Sequence, residues 1–104
     1  MGETDDFEWN DDKDAANLAK HGVLLRLAVL LFDDPYLLEV PAGLRNGELR
    51  FISVGKVEGR VLACVFTFRG SRRRLISLRA ARRNERRVYA AQVEQGRNRG
   101  STPC

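Results

Sequence analysis

A chain of 104 residues with 43% apolar content supports one domain with a modest core and excludes a wholly disordered protein. Its longest apolar run, Val23 to Phe32, is ten residues broken by Arg26. That is far short of the roughly 20 residues a spanning helix needs, so no membrane role is expected. The net charge of +4 hides a sharper split: seven acids and one Lys in the first fourteen residues, against nine arginines and one acid, Glu85, between Arg69 and Arg87. Such a basic segment seeks a polyanion, and RNA or DNA is the commonest available. Its arginines interleave with apolar residues, as in Arg74-Leu75-Ile76-Ser77-Leu78-Arg79, so folded structure should carry them.

In chain order, residues 1–6 are acidic and lack the basic, apolar character of a signal peptide. Phe7-Glu8-Trp9 alternates like a short strand. Asn10 reads as an N-cap, with Asp11 and Asp12 in a first turn where negative charge suits the helix dipole. This helix ends at Gly22, with Lys20 and His21 in its last turn. On a helical wheel Lys13, Asn17, Lys20 and His21 share one side, and Ala15, Leu18 and Gly22 another. A second, apolar helix is expected from Leu24 to Phe32, stopped by Asp33-Asp34-Pro35. Tyr36 to Val40 reads as a strand and Pro41 to Gly47 as a loop. Strands at 50–56, 60–69 and 72–79, with turns at Val57-Glu58-Gly59 and Gly70-Ser71, read as an antiparallel meander. A last helix runs from about Arg82 to Glu94. The expected fold class is therefore α+β: an antiparallel four-stranded sheet packed by two N-terminal helices and one C-terminal helix, with one sheet face open. Residues 1–95 form the single domain and residues 96–104 a disordered tail.

Cys64 and Cys104 are too far apart in character and position to suggest a disulfide, so a reducing cytoplasm is expected. His21 is the single His, and nothing has metal-ligand spacing. No cofactor is implied.

Phe7-Glu8-Trp9-Asn10, then Lys13, Asn17 and Lys20-His21-Gly22-Val23, resemble the F-x-W-D…K…N…K-H-G-V opening of BrnT-type toxins, ribonucleases of a bacterial type II toxin–antitoxin system. Further matches follow in order: Phe32-Asp33-Asp34-Pro35, Ile52 to Gly55, Gly59-Arg60-Val61-Leu62, Arg74 to Arg79, Ala81, and Glu85-Arg86 to Tyr89. The specificity lies in the ordered set, which covers roughly residues 7–90. Three departures stand out: Asn10 for the usual Asp, Leu24-Leu25-Arg26 for a stretch with an aromatic and acids, and Leu78 for Ala. The resemblance implies a RelE-like ribonuclease fold and a BrnA-like antitoxin with a ribbon-helix-helix DNA-binding domain. It also implies a complex that represses its own operator DNA.

Metal-free RNA cleavage needs a base for the 2′-hydroxyl proton, cations for the phosphorane and an acid for the leaving 5′-oxygen. Arg79 ends the last strand, and its planar fork suits phosphate oxygens; pairing with Glu85 is the alternative. His21 is the candidate base or acid, set against a plain helix-terminal cation. Arg69 and Glu85 complete the catalytic candidates, although cationic neighbours disfavour Glu85 as a base. Lys13, Lys20, Arg60, Arg74, Arg82 and Arg83 are candidate RNA contacts, set against ordinary solvated charges. Trp9 either stacks on a base or fills the core. The leading expectation is an endoribonuclease toxin that cleaves mRNA without metal and is held silent by its antitoxin. The alternatives are a catalytically weak, antitoxin-binding co-repressor and a non-catalytic nucleic-acid-binding module.

Overall fold

Turn chemistry shapes most of the sheet in the computed structural model, which describes residues 2–101 and the side chains of residues 2–96. Strands β3 (Leu38–Arg45), β4 (Glu48–Val57), β5 (Arg60–Arg69) and β6 (Arg72–Ala80) form an antiparallel meander. Asn46 and Gly47 (φ 52° and 78°) make one turn, and Glu58 and Gly59 (φ 50° and 82°) the next. Two-residue turns with both central residues left-handed match the natural twist of the strands they join. At the other edge, β1 (Gly2–Glu3) pairs antiparallel with β2 (Phe7–Trp9). β2 lies parallel to β6 through Phe7 opposite Arg73 and Glu8 opposite Arg74.

The result is a six-stranded mixed sheet in the order β1-β2-β6-β5-β4-β3. It overturns the expected four-stranded antiparallel sheet: there are two more strands, and the β2–β6 pair is parallel. The expected loop from Pro41 to Gly47 is mostly strand. Pro41 lacks an N–H, but β3 is an edge strand where that donor is dispensable, and a register shift between Pro41 and Gly43 absorbs the irregularity.

Helices cover both faces rather than one. On the first face, a 3₁₀ turn (Leu25–Leu27) and α2 (Ala28–Leu31) replace the single apolar helix read from the sequence. Their Leu25, Ala28 and Leu31 are fully buried against Leu62, Cys64, Phe66, Leu75 and Leu78. Each large side chain buried this way contributes about 1.5–3 kcal/mol. On the second face, α3 (Arg83–Ser101) sets Tyr89 against Val54, Ala63 and Ala81. α3 continues to Ser101, into the segment read as a disordered tail; residues 102–104, including Cys104, lie outside the described residues. Asp34 joins the two halves. Its carboxylate accepts from the Tyr36 and Lys56 backbone N–H groups and from the Tyr89 hydroxyl.

α1 (Asp11–His21) packs inside out. Asn10 caps it as expected, accepting from the Asp12 and Lys13 N–H groups, and Gly22 closes it in a left-handed conformation (φ 77°). Its buried residues, however, are Asp14 and Asn17, while Leu18 is 47% exposed. Asp14 accepts from the Arg26 N–H at 3.0 Å and pairs with Arg26 Nε at 3.1 Å. The helix is docked by polar bonds, so an apolar stripe is not its contact face.

Candidate functional site

β2 covers only the start of β6, so among the described residues the edge from Leu75 onward has no strand partner. α1 fills that edge through one side chain. Asn17 Oδ1 accepts from the Leu78 N–H at 3.0 Å, and Nδ2 donates to the carbonyls of Leu78 and Val23, each at 2.8 Å. The Val23 bond also fixes the chain just beyond His21. Lys13, Asn17, Lys20 and His21 thereby line an open groove of about 200 Å³ whose other wall is Ile76 and Ser77 of β6. Lys13 and Lys20 are exposed, and neither forms an ion pair among the described residues.

Arg79 lies two residues past Ser77, on the same face of the strand. Its fork is closed on Glu85: Nη1 to Oε1 at 2.7 Å and Nη2 to Oε2 at 3.0 Å, with both side chains about one-seventh exposed (15% and 14%). Glu85 Oε1 also accepts from the Arg82 N–H at 2.7 Å, the reach-back bond of a helix N-terminus. The Arg79 bond, reinforced by that N–H, holds the Glu85 carboxyl below the usual carboxylate range. Glu85 raises the Arg79 pKa further, chiefly through the same hydrogen bonds. A carboxylate held this firmly deprotonated is a poor proton carrier near neutrality and a good positioning group for Arg79.

The remaining candidates do not converge here. Arg69 pairs across the sheet with Arg72, whereas Arg79 pairs with Ala63, so roughly 20 Å of strand separates them. The Arg69 side chain lies 3.6 Å from Glu48 instead. Arg74 Nη1 donates to Glu8 at 3.2 Å with both side chains largely buried, which makes it a strut between β6 and β2. Arg72 donates to Glu3 of β1 at 2.9 Å, with both side chains exposed. The acidic start of the chain thus folds onto part of the basic stretch, and the charge split is partly spent internally. Arg73 sits over the rings of Phe32, Phe66 and Phe68, 4.8–5.6 Å from their centroids. Arg60 begins β5 at the sheet end that holds Ala80; it, Arg82 and Arg83 are exposed. Trp9 is half-buried against the core, with Gly2 directly beneath its ring.

The sequence model of one family, described as "Ribonuclease toxin, BrnT, of type II toxin-antitoxin system", matches residues 9–85. The chain belongs to that family. No individually curated protein matches it. The match runs from the last residue of β2 to the first turn of α3, so it includes both the α1–β6 groove and the Arg79–Glu85 pair. A type II toxin has an antitoxin partner.

Two of the three departures from the BrnT pattern are accommodated directly. Asn10 still caps α1, and the Leu78 side chain points into the core while only its backbone serves the groove. Two groove-building residues had a sequence signal that patterning alone passes over. Asn17, flanked by alanines inside a helix, is a poor helix former, which suggests a tertiary bond. Ser77 alternates with Arg79 on one strand face. Among the described residues no group of three or more His, Cys, Asp or Glu side chains is placed to hold a metal ion. No helix among them is long and apolar enough to cross a membrane.

Proposed function

We propose that this BrnT-family chain is an endoribonuclease that cleaves mRNA in the cytoplasm without a metal ion, arrests growth, and is neutralised by a ribbon-helix-helix antitoxin that carries the complex to operator DNA. The observation that carries the reading is the groove in which Lys13, Lys20 and His21 face Ser77. In this reading His21 takes the 2′-hydroxyl proton as that oxygen attacks phosphorus. Lys13 and Lys20 hold the non-bridging oxygens, with Arg79 two residues past Ser77 on the same strand face, and the 5′-oxygen leaves with a proton taken from solvent water. Glu85 keeps Arg79 aimed along the strand face. Each cation so placed is worth about 2.7–4 kcal/mol of transition-state stabilisation.

One observation favours the second reading, a catalytically weak, antitoxin-binding co-repressor. Arg79 already spends two N–H groups on Glu85 and a third on the Ala80 carbonyl, which leaves two of its five donors for a phosphate. Cleavage of RNA by the antitoxin-free protein in excess EDTA separates the two. Activity is expected in the wild type and reduced about 10²–10⁴-fold in His21→Gln, with unchanged thermal stability. Equal activity in both proteins would remove His21 from the chemistry. No activity in folded wild-type protein would favour the co-repressor.

A further inference from the structure

Phe66 and Phe68, two residues apart on β5, both point to the sheet face that carries α2. Register sets their neighbours, because directly paired residues share a side. Phe51 and Leu75 stand in the row of Phe66, and Arg73 is paired with Phe68. Leu49, two residues before Phe51, lies on the same side. α2 is capped by Phe32, whose ring meets that of Phe66 edge-on at 5.3 Å. Past that point the face opens: Phe68 is 43% exposed and Leu49 46%. The Phe68 ring stands edge-on to those of Phe51 and Phe66, at 5.5 and 5.6 Å between centroids.

Arg73 holds its guanidinium among these rings, yet its N–H groups are unspent. Glu39 approaches Nη2 only to 3.7 Å, too far for a hydrogen bond, and the buried Nε has no partner among the described residues. Arg69 and Arg72 point to the opposite sheet face, so the patch is aromatic before it is basic. Unstacked RNA bases are held on such aromatic rings and guanidinium planes. A nucleobase offers a π-face to both side chains, which an aliphatic side chain does not. The His21 groove cannot do this work, because the one ring in its lining is His21 itself, which the proposed chemistry occupies. Arg73 and Ser77 are four residues apart on β6, roughly 13 Å, a distance a short single strand spans.

We propose that Phe68 and Arg73 form a base-stacking subsite, which holds one unpaired nucleobase of a single-stranded RNA outside the groove in which the strand is cut. The inference rests on the ribonuclease reading and adds where the substrate's base is held.

The test uses the full chain and two short 2′-O-methyl oligonucleotides, which lack the 2′-hydroxyl that cleavage requires. One carries all its bases; the other, of equal length, has abasic central positions. Affinity is read by fluorescence anisotropy. Wild type is expected to bind the base-containing strand about 10-fold more tightly than the abasic one. Phe68→Leu keeps apolar bulk but removes the ring. It is expected to lose that preference while binding the abasic strand like the wild type. Phe68→Tyr keeps a ring and should keep the preference, as should Leu49→Ala, equally exposed on the same face. Arg73→Lys, which keeps the charge and loses the plane, gives a second route to the same loss should Phe68→Leu melt early. Equal affinity of the wild type for the two strands overturns the proposal. A preference that survives in both Phe68→Leu and Arg73→Lys also overturns it and leaves the patch to an apolar protein partner. Wild type that shows the preference but cleaves no unmodified RNA defeats the ribonuclease reading, while the subsite stands.

Discussion

Asn17 bonds both backbone groups of Leu78, as the next strand of a sheet would. An amide side chain carries one acceptor and one donor group, the complement of a residue on a bare sheet edge. Asn17→Ala leaves the Leu78 N–H and C=O buried without partners and is expected to cost about 2–4 kcal/mol in urea unfolding. Asn17→Asp keeps the acceptor but sets negative charge against two carbonyls, so it should rescue nothing. Lys20→Ala, exposed on the same helix, should change stability by no more than about 0.5 kcal/mol. If Asn17→Asp were as stable as the wild type, the edge-filling role would be wrong.

The groove and the distant arginine differ in what they should do to salt dependence. Binding of single-stranded RNA falls with salt at about 0.7 per neutralised phosphate on a double-logarithmic plot. Lys13→Ala and Lys20→Ala should each reduce that slope by about this amount in fluorescence anisotropy. Arg69→Ala should leave it unchanged, because Arg69 lies against Glu48 and well away from Ser77. A lower slope in Arg69→Ala would extend the RNA path along the whole length of β5.

The Arg79–Glu85 pair should stabilise the protein only while Glu85 is ionised. Its folded-state pKa is lowered from the usual 4.5, mainly by the Arg79 hydrogen bonds. A depressed carboxylate contributes stability above its unfolded pKa and loses it as pH falls through the folded value. The stability difference between wild type and Glu85→Gln should therefore be constant near neutrality and shrink below pH 4.5. Denaturant titrations from pH 7 down to the acid limit of folding would show this, and a difference that persists unchanged in acid would mean the pair contributes nothing through charge.

Local signals were legible where one residue decides one feature. Asn10 as a cap, Gly22 as a helix stop and the Glu58-Gly59 turn all depend on their own backbone conformation. The six-stranded sheet was less legible, because a parallel partner for β6 depends on Phe7 and Glu8 finding Arg73 and Arg74 across 66 positions of chain. Pro41 suggested a loop, and only its place on an edge strand makes it harmless. The docking face of α1 was not legible, for a deeper reason. Its alanines and Leu18 look like the contact face, but Asp14 and Asn17 form tertiary bonds that periodicity does not register. The basic stretch reads as one polyanion-seeking surface, yet Arg72 and Arg74 bind the acidic start of the chain.

Tyr89 and Asp34, both in matched motif segments far apart in the chain, are joined by the Tyr89 hydroxyl donating to the carboxylate. Burial first, and then the Asp34 bond and charge, push the phenol well above its ordinary value of 10.0. The native state therefore holds this proton more tightly than the unfolded chain, so the stability it supplies is complete below pH 10 and lost as pH rises beyond that. Tyr89→Phe keeps the ring against Val54 and Ala63 but removes a bond to a charged acceptor, at an expected cost of about 1.5–3 kcal/mol. The gap between wild type and Tyr89→Phe in chemical unfolding should be flat from neutral pH to about 9 and narrow in stronger alkali. An absorbance difference titration of the same two proteins should show the Tyr89 phenolate appearing only as the protein unfolds. Phenolate formation near pH 10 in folded protein would mean that the Asp34 bond is absent in solution.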